Sequence, residues 1–238
     1  MSGPASWQIG AIVPARDEQQ RIEACIRSLI RAAASAHCGD RFWVVVVADA
    51  CRDETAAVAR NALDGHGEVI VSHAGSAGAA RRLGVEAALA HFQEHRPEHI
   101  WLCNTDADSV VPGDWMSHQL ALAEQGITGI AGIVALDATA DSSTRELFRR
   151  TYRIHAGGTH EHVHGANLSL RADAYLDVGG WRDLALAEDH CLWRRLLAKG
   201  WRVCSPAESV VTTSARLVGR ARGGFADTLR GVIGERCS

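Results

Sequence analysis

The sequence lacks an excess of basic charge and any paired-cysteine motif. Its 238 residues carry a formal net charge of −3 and a pI near 6.4, whereas nucleic-acid binding requires a basic face. Seven cysteines occur, none in a C-x-x-C pair and most within apolar segments, which argues against a disulfide framework and against a zinc ribbon. We therefore expect no nucleic-acid partner, reduced thiols and a cytoplasmic location.

Long apolar runs are missing as well. Segments such as Val44–Ala48 have the length of a strand and are far too short to cross a bilayer. The first six residues show no basic start followed by an apolar core, so no signal peptide is expected. With 47% hydrophobic and 22% charged residues, the composition predicts a globular protein without an integral membrane segment.

The pattern that is present alternates strands with helices. Short apolar or β-branched runs predict strands, and apolar residues at helical spacing predict helices between them. The predicted strands are 9–14, 42–48, 68–72 and 99–103, and the predicted helices are 17–36, 53–63 and 78–92. Four strands separated by helices predict an α/β fold with a doubly wound, mostly parallel central sheet and helices on both faces.

Beyond residue 112 the pattern becomes less regular. It predicts helices at 115–125, 142–155, 172–178 and 188–199, and strands at 128–136 and 163–170. The segment from residue 214 is basic and rich in glycine, and no linker separates independent domains. We therefore expect one domain over residues 1–238 that ends in a mobile tail.

Two aspartates follow the fourth predicted strand. Asp106 and Asp108 are separated by Ala107, and in an extended segment alternate side chains share a face about 6.6 Å apart. Two such carboxylates repel each other unless they are solvated in a turn or hold a divalent cation. Because ligands of a doubly wound sheet bind at the carboxyl ends of its strands, the position favours a functional site.

Two further aspartates follow the second predicted strand. Asp49 comes directly after that buried strand, where its carboxylate is placed to accept a hydrogen bond from a nucleotide base. Asp53 is placed to cap the next helix. We expect each aspartate to have one of these two roles.

A carboxylate pair opens the last predicted helix. Glu188 and Asp189 complement the positive end of the helix dipole, but a carboxylate facing a sugar donor is also the group that deprotonates an attacking hydroxyl. Further along this helix, Arg194 and Arg195 are expected to face solvent. Upstream, the alternating histidines His160, His162 and His164 are expected to face one side, as acceptor contacts, as metal ligands or without either role.

Six motifs in order resemble those of the family 2 glycosyltransferases with a GT-A fold. They extend over about residues 9–211, and six in register are far more specific than any one alone. They are Pro14-Ala15-Arg16-Asp17-Glu18, Val47-Ala48-Asp49, Gly78-Ala79-Ala80-Arg81, Asp106-Ala107-Asp108, Gly165–Arg171 with Gly179-Gly180-Trp181, and Glu188-Asp189.

The resemblance implies a metal-dependent transfer, with inversion, of a sugar from a nucleoside-diphosphate sugar (UDP or GDP) to an acceptor hydroxyl. It implies a nucleotide-binding half at 1–112, an acceptor-binding half at 113–213 and a basic tail at 214–238 that closes over the diphosphate or remains solvated. It implies substrate binding by Pro14, Arg16, Glu18, Asp49, Arg81, Asp106, Asn167, Trp181, Glu188 and Arg216, binding of Mg²⁺ or Mn²⁺ by Asp106 and Asp108, and Asp189 as the catalytic base.

The sequence also departs from the family pattern. Ala48 stands where many relatives have a first aspartate, and Asp17 stands where asparagine is usual. Both departures concern nucleotide recognition. No Q-x-x-R-W segment follows Asp189, which argues against a processive polymer synthase.

Other classes of function fit less well. A sugar-phosphate nucleotidyltransferase needs a glycine-rich loop with a basic residue after the first strand, where this chain has the sequence PARDE. An NAD-dependent enzyme needs G-x-G-x-x-G at the same place. A non-catalytic module that binds nucleotide-sugars would not need Asp106, Asp108 and Asp189 together. The donor sugar, the acceptor and the oligomeric state stay open.

Overall fold

A computed structural model describes residues 7–184 and 186–216. The strands are β1 (Gln8–Ala15), β2 (Phe42–Asp49), β3 (Gly67–Ser72), β4 (Ile100–Asn104), β5 (Ser109–Val110), β6 (Gly129–Ala131), β7 (Ile133–Leu136), β8 (Leu168–Arg171), β9 (Val203–Cys204) and β10 (Val210–Thr213). The helices are α1 (Ile22–Ser35), α2 (Thr55–Leu63), α3 (Ala77–His91), α4 (Trp115–Glu124), α5 (Ser142–Arg150), α6 (Ala172–Asp177) and α7 (Glu188–Lys199). The order β1-α1-β2-α2-β3-α3-β4 matches the predicted alternation.

Seven strands form the central sheet in the order β3-β2-β1-β4-β8-β6-β9. Strand β1 pairs in parallel with β2 and β4, and β2 pairs in parallel with β3. Strand β8 is antiparallel to both of its neighbours, β4 and β6. The predicted α/β fold with a mostly parallel central sheet is confirmed.

Alternate residues of the central strands enter two different hydrophobic layers. Ile9 and Val13 of β1 pack with α1, α2 and α4, whereas Ile12 between them packs with α3. Val44 and Val45 of β2 divide between the layers in the same way. A strand that is buried on both faces needs apolar residues at every position, which explains the uninterrupted valine run.

The predicted strand at 128–136 is in fact two strands that belong to different sheets. A Cβ atom at Gly132 would lie 2.2 Å from Asn167 Nδ2 and 2.5 Å from the Ser209 carbonyl oxygen, so only glycine fits where the chain passes between them. Strand β6 stays in the central sheet, whereas β7 pairs with β10 and β10 pairs with β5 in a second, three-stranded sheet.

Three further boundaries differ from the prediction. Helix α1 begins at Ile22, because Asp17 has a φ of +53° and the turn after it closes on the Glu18 carbonyl oxygen. Helix α5 ends at Arg150, and the predicted strand at 163–170 becomes regular only at Leu168. Loops around the sheet therefore occupy more of the chain than its apolar pattern predicts.

The described ranges contain neither a membrane-spanning helix nor a disulfide. In the described ranges, no helix is both long and apolar enough to span a bilayer. The six cysteines in these ranges are all free thiols.

Candidate active site

The carboxyl ends of β2, β1 and β4 lie side by side and carry the predicted carboxylates. Asp49 ends β2 and is only 5% exposed, and both of its oxygens accept from the Gly75 N–H, at 3.0 and 3.2 Å. Pro14 is half-buried at the end of β1, and the adjacent Arg16 side chain is exposed. Asp49 therefore fixes the turn after β3 while lying at the edge of the sheet where ligands bind.

The two aspartates after β4 lie on a turn and not on an extended strand. The Ser109 N–H donates to the Asp106 carbonyl oxygen at 3.0 Å, and Ala107 is buried beneath the turn. The expected face-sharing of an extended segment is therefore wrong at this point. The turn still leaves the two carboxylates close enough for Asp106 to raise the pKa of Asp108 by repulsion.

A buried arginine connects the first of these aspartates to the start of α7. The Arg81 side chain is 4% exposed. Its guanidinium donates from Nη2 to Asp106 Oδ1 at 2.7 Å and from Nη1 to Glu188 Oε1. The carboxylates raise the pKa of Arg81 and burial lowers it, with a net upward shift. The guanidinium is thus charged and is shared by two motifs that are far apart in the sequence.

The surroundings of Arg81 leave it little freedom. A Cβ atom at Gly165 would lie 2.4 Å from Arg81 Nη2, so this glycine gives the guanidinium the space that it occupies. The Arg81 Cζ atom lies 5.2 Å from the ring centroid of Trp181, a distance at which a cation is attracted to an aromatic face. Trp181 is itself buried in the hydrophobic layer that contains α3, so it holds the arginine from inside the core.

A second arginine binds the other aspartate. Arg216 donates from Nη2 to Asp108 Oδ2 at 3.1 Å and from Nη1 to Glu18 Oε1. The Thr213 hydroxyl lies 3.5 Å from Asp108 Oδ1 and accepts from the Ser109 hydroxyl at 3.0 Å. Burial, followed by repulsion from Asp106, raises the pKa of Asp108 to about 6.

The donor set at this turn fits Mg²⁺ or Mn²⁺. These ions prefer carboxylate oxygens and leave positions open for phosphate and water. The arginine pairs occupy one oxygen of each carboxylate, Asp106 Oδ1 and Asp108 Oδ2, so a cation at Asp108 would have to share that carboxylate with Arg216. The Arg216 guanidinium, held between Glu18 and Asp108, shows that this position already accepts a positive group.

The predicted base lies on the first turn of α7. Asp189 Oδ2 accepts from the Gly165 N–H at 2.9 Å, and Oδ1 accepts from the His190 N–H at 2.7 Å. Ala187, just before the helix, has a φ of +57°, in the left-handed region that favours glycine. Both carboxylates of the motif are thus oriented by fixed partners, Glu188 by a side chain and Asp189 by backbone.

The side-chain amide of Asn167, a predicted substrate-binding residue, is bonded within the protein. The residue is 2% exposed, and its Nδ2 donates to the carbonyl oxygens of Ile133 and Ser209 while its Oδ1 accepts from Trp115 Nε1. The amide therefore holds the crossing near Gly132 together. These bonds give Asn167 a structural role in this structure, and its predicted substrate contact stays a prediction.

Arg195 also differs from its prediction. Its side chain was expected to face solvent, but it is half-buried and donates to the carbonyl oxygens of Val178 and Gly180. These carbonyls belong to the turn before Trp181. Arg194, one residue earlier, is exposed as expected.

The three alternating histidines lie around the ring of Tyr152. The ring centroid of Tyr152 lies 6.3, 4.6 and 5.8 Å from those of His160, His162 and His164. The Tyr152 hydroxyl lies 2.9 Å from His164 Nε2 and accepts from the Val134 N–H. Burial lowers the pKa of all three histidines, that of His164 to about 4, so the cluster is neutral at neutral pH. A spacing of two residues revealed the histidines, but no local pattern indicates Tyr152.

Another acidic group, near the nucleotide edge, is explained by backbone contacts. Oxygens of Asp17 and Asp53 and the Cys51 sulfur lie within 4.8 Å of one another, an arrangement that could hold a metal ion. However, Asp17 accepts from the Arg52 N–H, and Asp53 accepts from the N–H groups of Gln19 and Thr55. Asp53 caps the first N–H of α2, although the N-cap position itself is Glu54.

Comparison with protein families identifies the family to which the chain belongs. Residues 4–226 match the family described as Glycosyltransferase like family 2. The chain belongs to this family. Its candidate active site is the carboxylate cluster at the carboxyl edge of the sheet. No curated protein matches this chain significantly.

Solved structures share the fold at low identity. TarS residues 1–349 of S. aureus is 15% identical with a TM-score of 0.61, over 88% of this chain and 61% of that one. The mannosyltransferase PcManGT from Pyrobaculum calidifontis, in complex with GDP-Man and Mn²⁺, is 18% identical with a TM-score of 0.61, over 92% of this chain and 58% of that one. TarS 1–349 in complex with UDP gives a TM-score of 0.62 at 12% identity, over 96% and 70%. The chain thus spans about three fifths of the length of the first two of these structures.

Proposed function

We propose that this glycosyltransferase moves a sugar from a nucleoside-diphosphate sugar to an acceptor hydroxyl and requires Mg²⁺ or Mn²⁺. The observation that carries the proposal is the buried Arg81, which ion-pairs with both Asp106 and Glu188. Through this one side chain the predicted metal-binding motif and the motif of the predicted base form a single site.

The donor nucleotide in this proposal is UDP or GDP. Two structural neighbours carry UDP and GDP-Man with Mn²⁺, and they support the class of donor by analogy of fold. In this proposal Asp49, buried at the end of β2, and the exposed Arg16 would contact the base and ribose. Asp106 and Asp108 would hold the cation. A bound divalent cation would offset the negative charge that develops on the departing diphosphate.

Asp189 is the proposed general base. Its two backbone hydrogen bonds fix the carboxylate, and each oxygen keeps a further lone pair that can take the proton of the acceptor hydroxyl. The hydroxyl oxygen then bonds to the anomeric carbon as the bond to the diphosphate breaks. Attack from the side opposite the diphosphate inverts the anomeric centre. Arg81 in this proposal positions Asp106 and Glu188, because both terminal nitrogens are already ion-paired.

Replacing the base tests the catalytic role. In Asp189→Asn, turnover should fall at least about 100-fold, the smaller end of general-base contributions, while nucleotide binding persists. Donor hydrolysis and transfer are measured as release of nucleoside diphosphate. Asp40→Asn, an exposed aspartate at the opposite edge of the sheet before β2, is the control and should keep full turnover. Full turnover in Asp189→Asn would reject the base assignment.

A thermal-shift series tests the donor class. UDP, GDP and other nucleoside diphosphates are each compared with and without Mn²⁺. A ligand at 100 times its Kd adds about 2.7 kcal/mol to the free energy of unfolding, so the correct nucleotide should raise Tm clearly and only with the metal. A chain that responds to none of them would contradict the proposal.

A further inference from the structure

Both aspartates of the metal-binding turn are ion-paired with arginines, but the two arginines differ in their surroundings. Arg81 is 4% exposed and is enclosed by Gly165 and Trp181. Arg216 is 28% exposed and follows the end of β10. Only the second of these guanidinium groups can leave its carboxylate without unpacking the core.

The contacts that hold Arg216 in place come mainly from the carboxylates themselves. Its guanidinium pairs with Glu18 and Asp108, whose side chains are 6% and 11% exposed. The backbone nearby is held by long contacts, Arg216 N–H to the Ser214 hydroxyl at 3.3 Å and Ala215 N–H to Asp137 at 3.4 Å. Arg216 is therefore fixed by the negative charge that it neutralises.

The same negative charge is what a divalent cation would neutralise. The carboxylates of Glu18 and Asp106 both lie close enough to Asp108 to repel its negative charge, and each of them raises the pKa of Asp108. Two buried anions without a cation between them are unfavourable. A guanidinium bound to Asp108 Oδ2 and a metal ion bound to Asp108 therefore compete for one carboxylate.

We propose that Arg216 holds the cation position at Asp108 in the empty enzyme, is displaced when Mn²⁺ or Mg²⁺ binds, and then binds the diphosphate of the donor. Displacement frees a planar group whose paired N–H donors match phosphate oxygens, and Arg216 lies beside the turn where that phosphate is expected. The second step rests on the proposed function, whereas the competition between Arg216 and the metal does not.

The exchange has a thermodynamic consequence. Metal alone must displace Arg216 from Asp108 and leave the guanidinium without that partner, so metal alone binds weakly. Metal together with nucleoside diphosphate gives the guanidinium a new anionic partner. Metal and nucleotide therefore strengthen each other's binding by the same factor, as linkage requires.

Direct titration with Mn²⁺ tests the competition without any activity measurement. Free Mn²⁺ is followed by electron paramagnetic resonance in the wild-type protein, Arg216→Gln and Arg21→Gln. Arg21 is the matched control, because it is 34% exposed, pairs with Asp137 and lowers the pKa of Asp108 through its charge, but does not bind an Asp108 oxygen. Arg21→Gln therefore measures what loss of a nearby positive charge does by itself.

Arg216→Gln should bind Mn²⁺ about three- to tenfold more tightly than Arg21→Gln, since a partly buried ion pair no longer competes. The Mn²⁺ affinity of Arg216→Lys, which keeps the positive charge but not the paired N–H donors of the guanidinium, should lie between those of Arg216→Gln and the wild type. Equal or weaker Mn²⁺ binding in Arg216→Gln than in Arg21→Gln would overturn the competition.

The second step is read from UDP and GDP binding at saturating Mn²⁺. Arg216→Gln should lose about tenfold in diphosphate affinity, whereas Arg21→Gln should change little. Unchanged diphosphate affinity in Arg216→Gln overturns the transfer of Arg216 to the donor. If the wild-type chain binds no nucleotide with Mn²⁺, the proposed function fails, while the Mn²⁺ titration still decides the competition.

Discussion

Arg81 and Arg216 neutralise the same two-aspartate turn in opposite ways. Arg81 is buried with Asp106 and Glu188 and packs on Trp181, so its ion pairs are part of the core. Arg216 reaches Asp108 from the chain after β10 and remains in contact with solvent. The difference separates a fixed half of the site, which holds the motifs together, from an exchangeable half, which can respond to ligands.

The largest effect should come from breaking the fixed half. Arg81→Met replaces the guanidinium with an apolar chain of similar length and leaves Glu188, 13% exposed, without its partner. The free energy of unfolding should fall by about 2–4 kcal/mol, as when one partner of a buried pair is removed. Arg216→Gln should cost less than about 1 kcal/mol, as partly exposed pairs do. Urea unfolding measures both.

A double mutant separates charge from packing in this prediction. Glu188→Gln in the Arg81→Met background removes the unpaired carboxylate and should recover part of the lost stability. If the losses of unfolding free energy caused by Arg81→Met and by Glu188→Gln simply add in the double mutant, the Arg81–Glu188 pair is not the source of the effect.

Replacing Asp108 should stabilise the folded chain, whereas replacing Asp106 should destabilise it. The pKa of Asp108 is about 6 in the folded protein against an ordinary 3.8, so between these values the folded state binds more protons and stability falls as pH rises. Asp108→Asn removes this penalty and should gain about 1 kcal/mol at pH 7.5, since loss of the Arg216 pair offsets part of it. The gain should shrink as pH falls from 6 towards 3.8. Urea unfolding at pH 7.5 and pH 5 measures it.

Asp106→Asn is the matched variant at the fixed half. It removes a partner of the buried Arg81 and should therefore destabilise the chain at pH 7.5. The same sign for both asparagine variants would contradict the division of the site into a fixed and an exchangeable half.

The smallest effect concerns the residue that leads into Glu188. Ala187 is exposed with a φ of +57°, so Ala187→Gly should raise the free energy of unfolding by about 0.5–1 kcal/mol, the cost of a left-handed non-glycine residue less the entropy of glycine. Ala36→Gly, at a position where φ is −87°, should not raise the free energy of unfolding. Chemical denaturation of the two variants tests the difference.

Local pattern predicted the parallel half of the sheet well. Uninterrupted apolar runs such as 44–47 indicate strands buried on both faces, and the direction of such strands places Asp49 and Asp106 at one edge. These predictions need only the neighbours of a residue along the chain. The resemblance to the family, which residues 4–226 confirm, rests on motifs of the same local kind.

The errors lie where distant segments decide the structure. Gly132 divides an apolar run between two sheets because Asn167 and Ser209 approach it, and neither is near it in sequence. At the same crossing, the amide nitrogen of Asn167 donates hydrogen bonds to the carbonyl oxygens of Ile133 and Ser209. The partners of Arg81 and the hydrogen bonds of Arg195 to the Val178 and Gly180 carbonyl oxygens are likewise tertiary contacts, so spacing alone could not reveal them. The domain boundaries and the roles of the substrate-binding residues stay predictions, and residues 217–238 of the predicted tail lie outside the described ranges.

The register of β10 determines where Arg216 lies. Thr213 of β10 pairs with Ser109 and Val210 pairs with Ile133, so one short strand joins the turn of Asp108 to the strand after Gly132. A slip of two residues would carry Arg216 about 7 Å along the strand, beyond reach of Asp108, and a slip of one would turn Thr213 to the other face. The length of the loop between β9 and β10 consequently helps to determine where Arg216 lies in the candidate active site, although no residue of that loop belongs to the site.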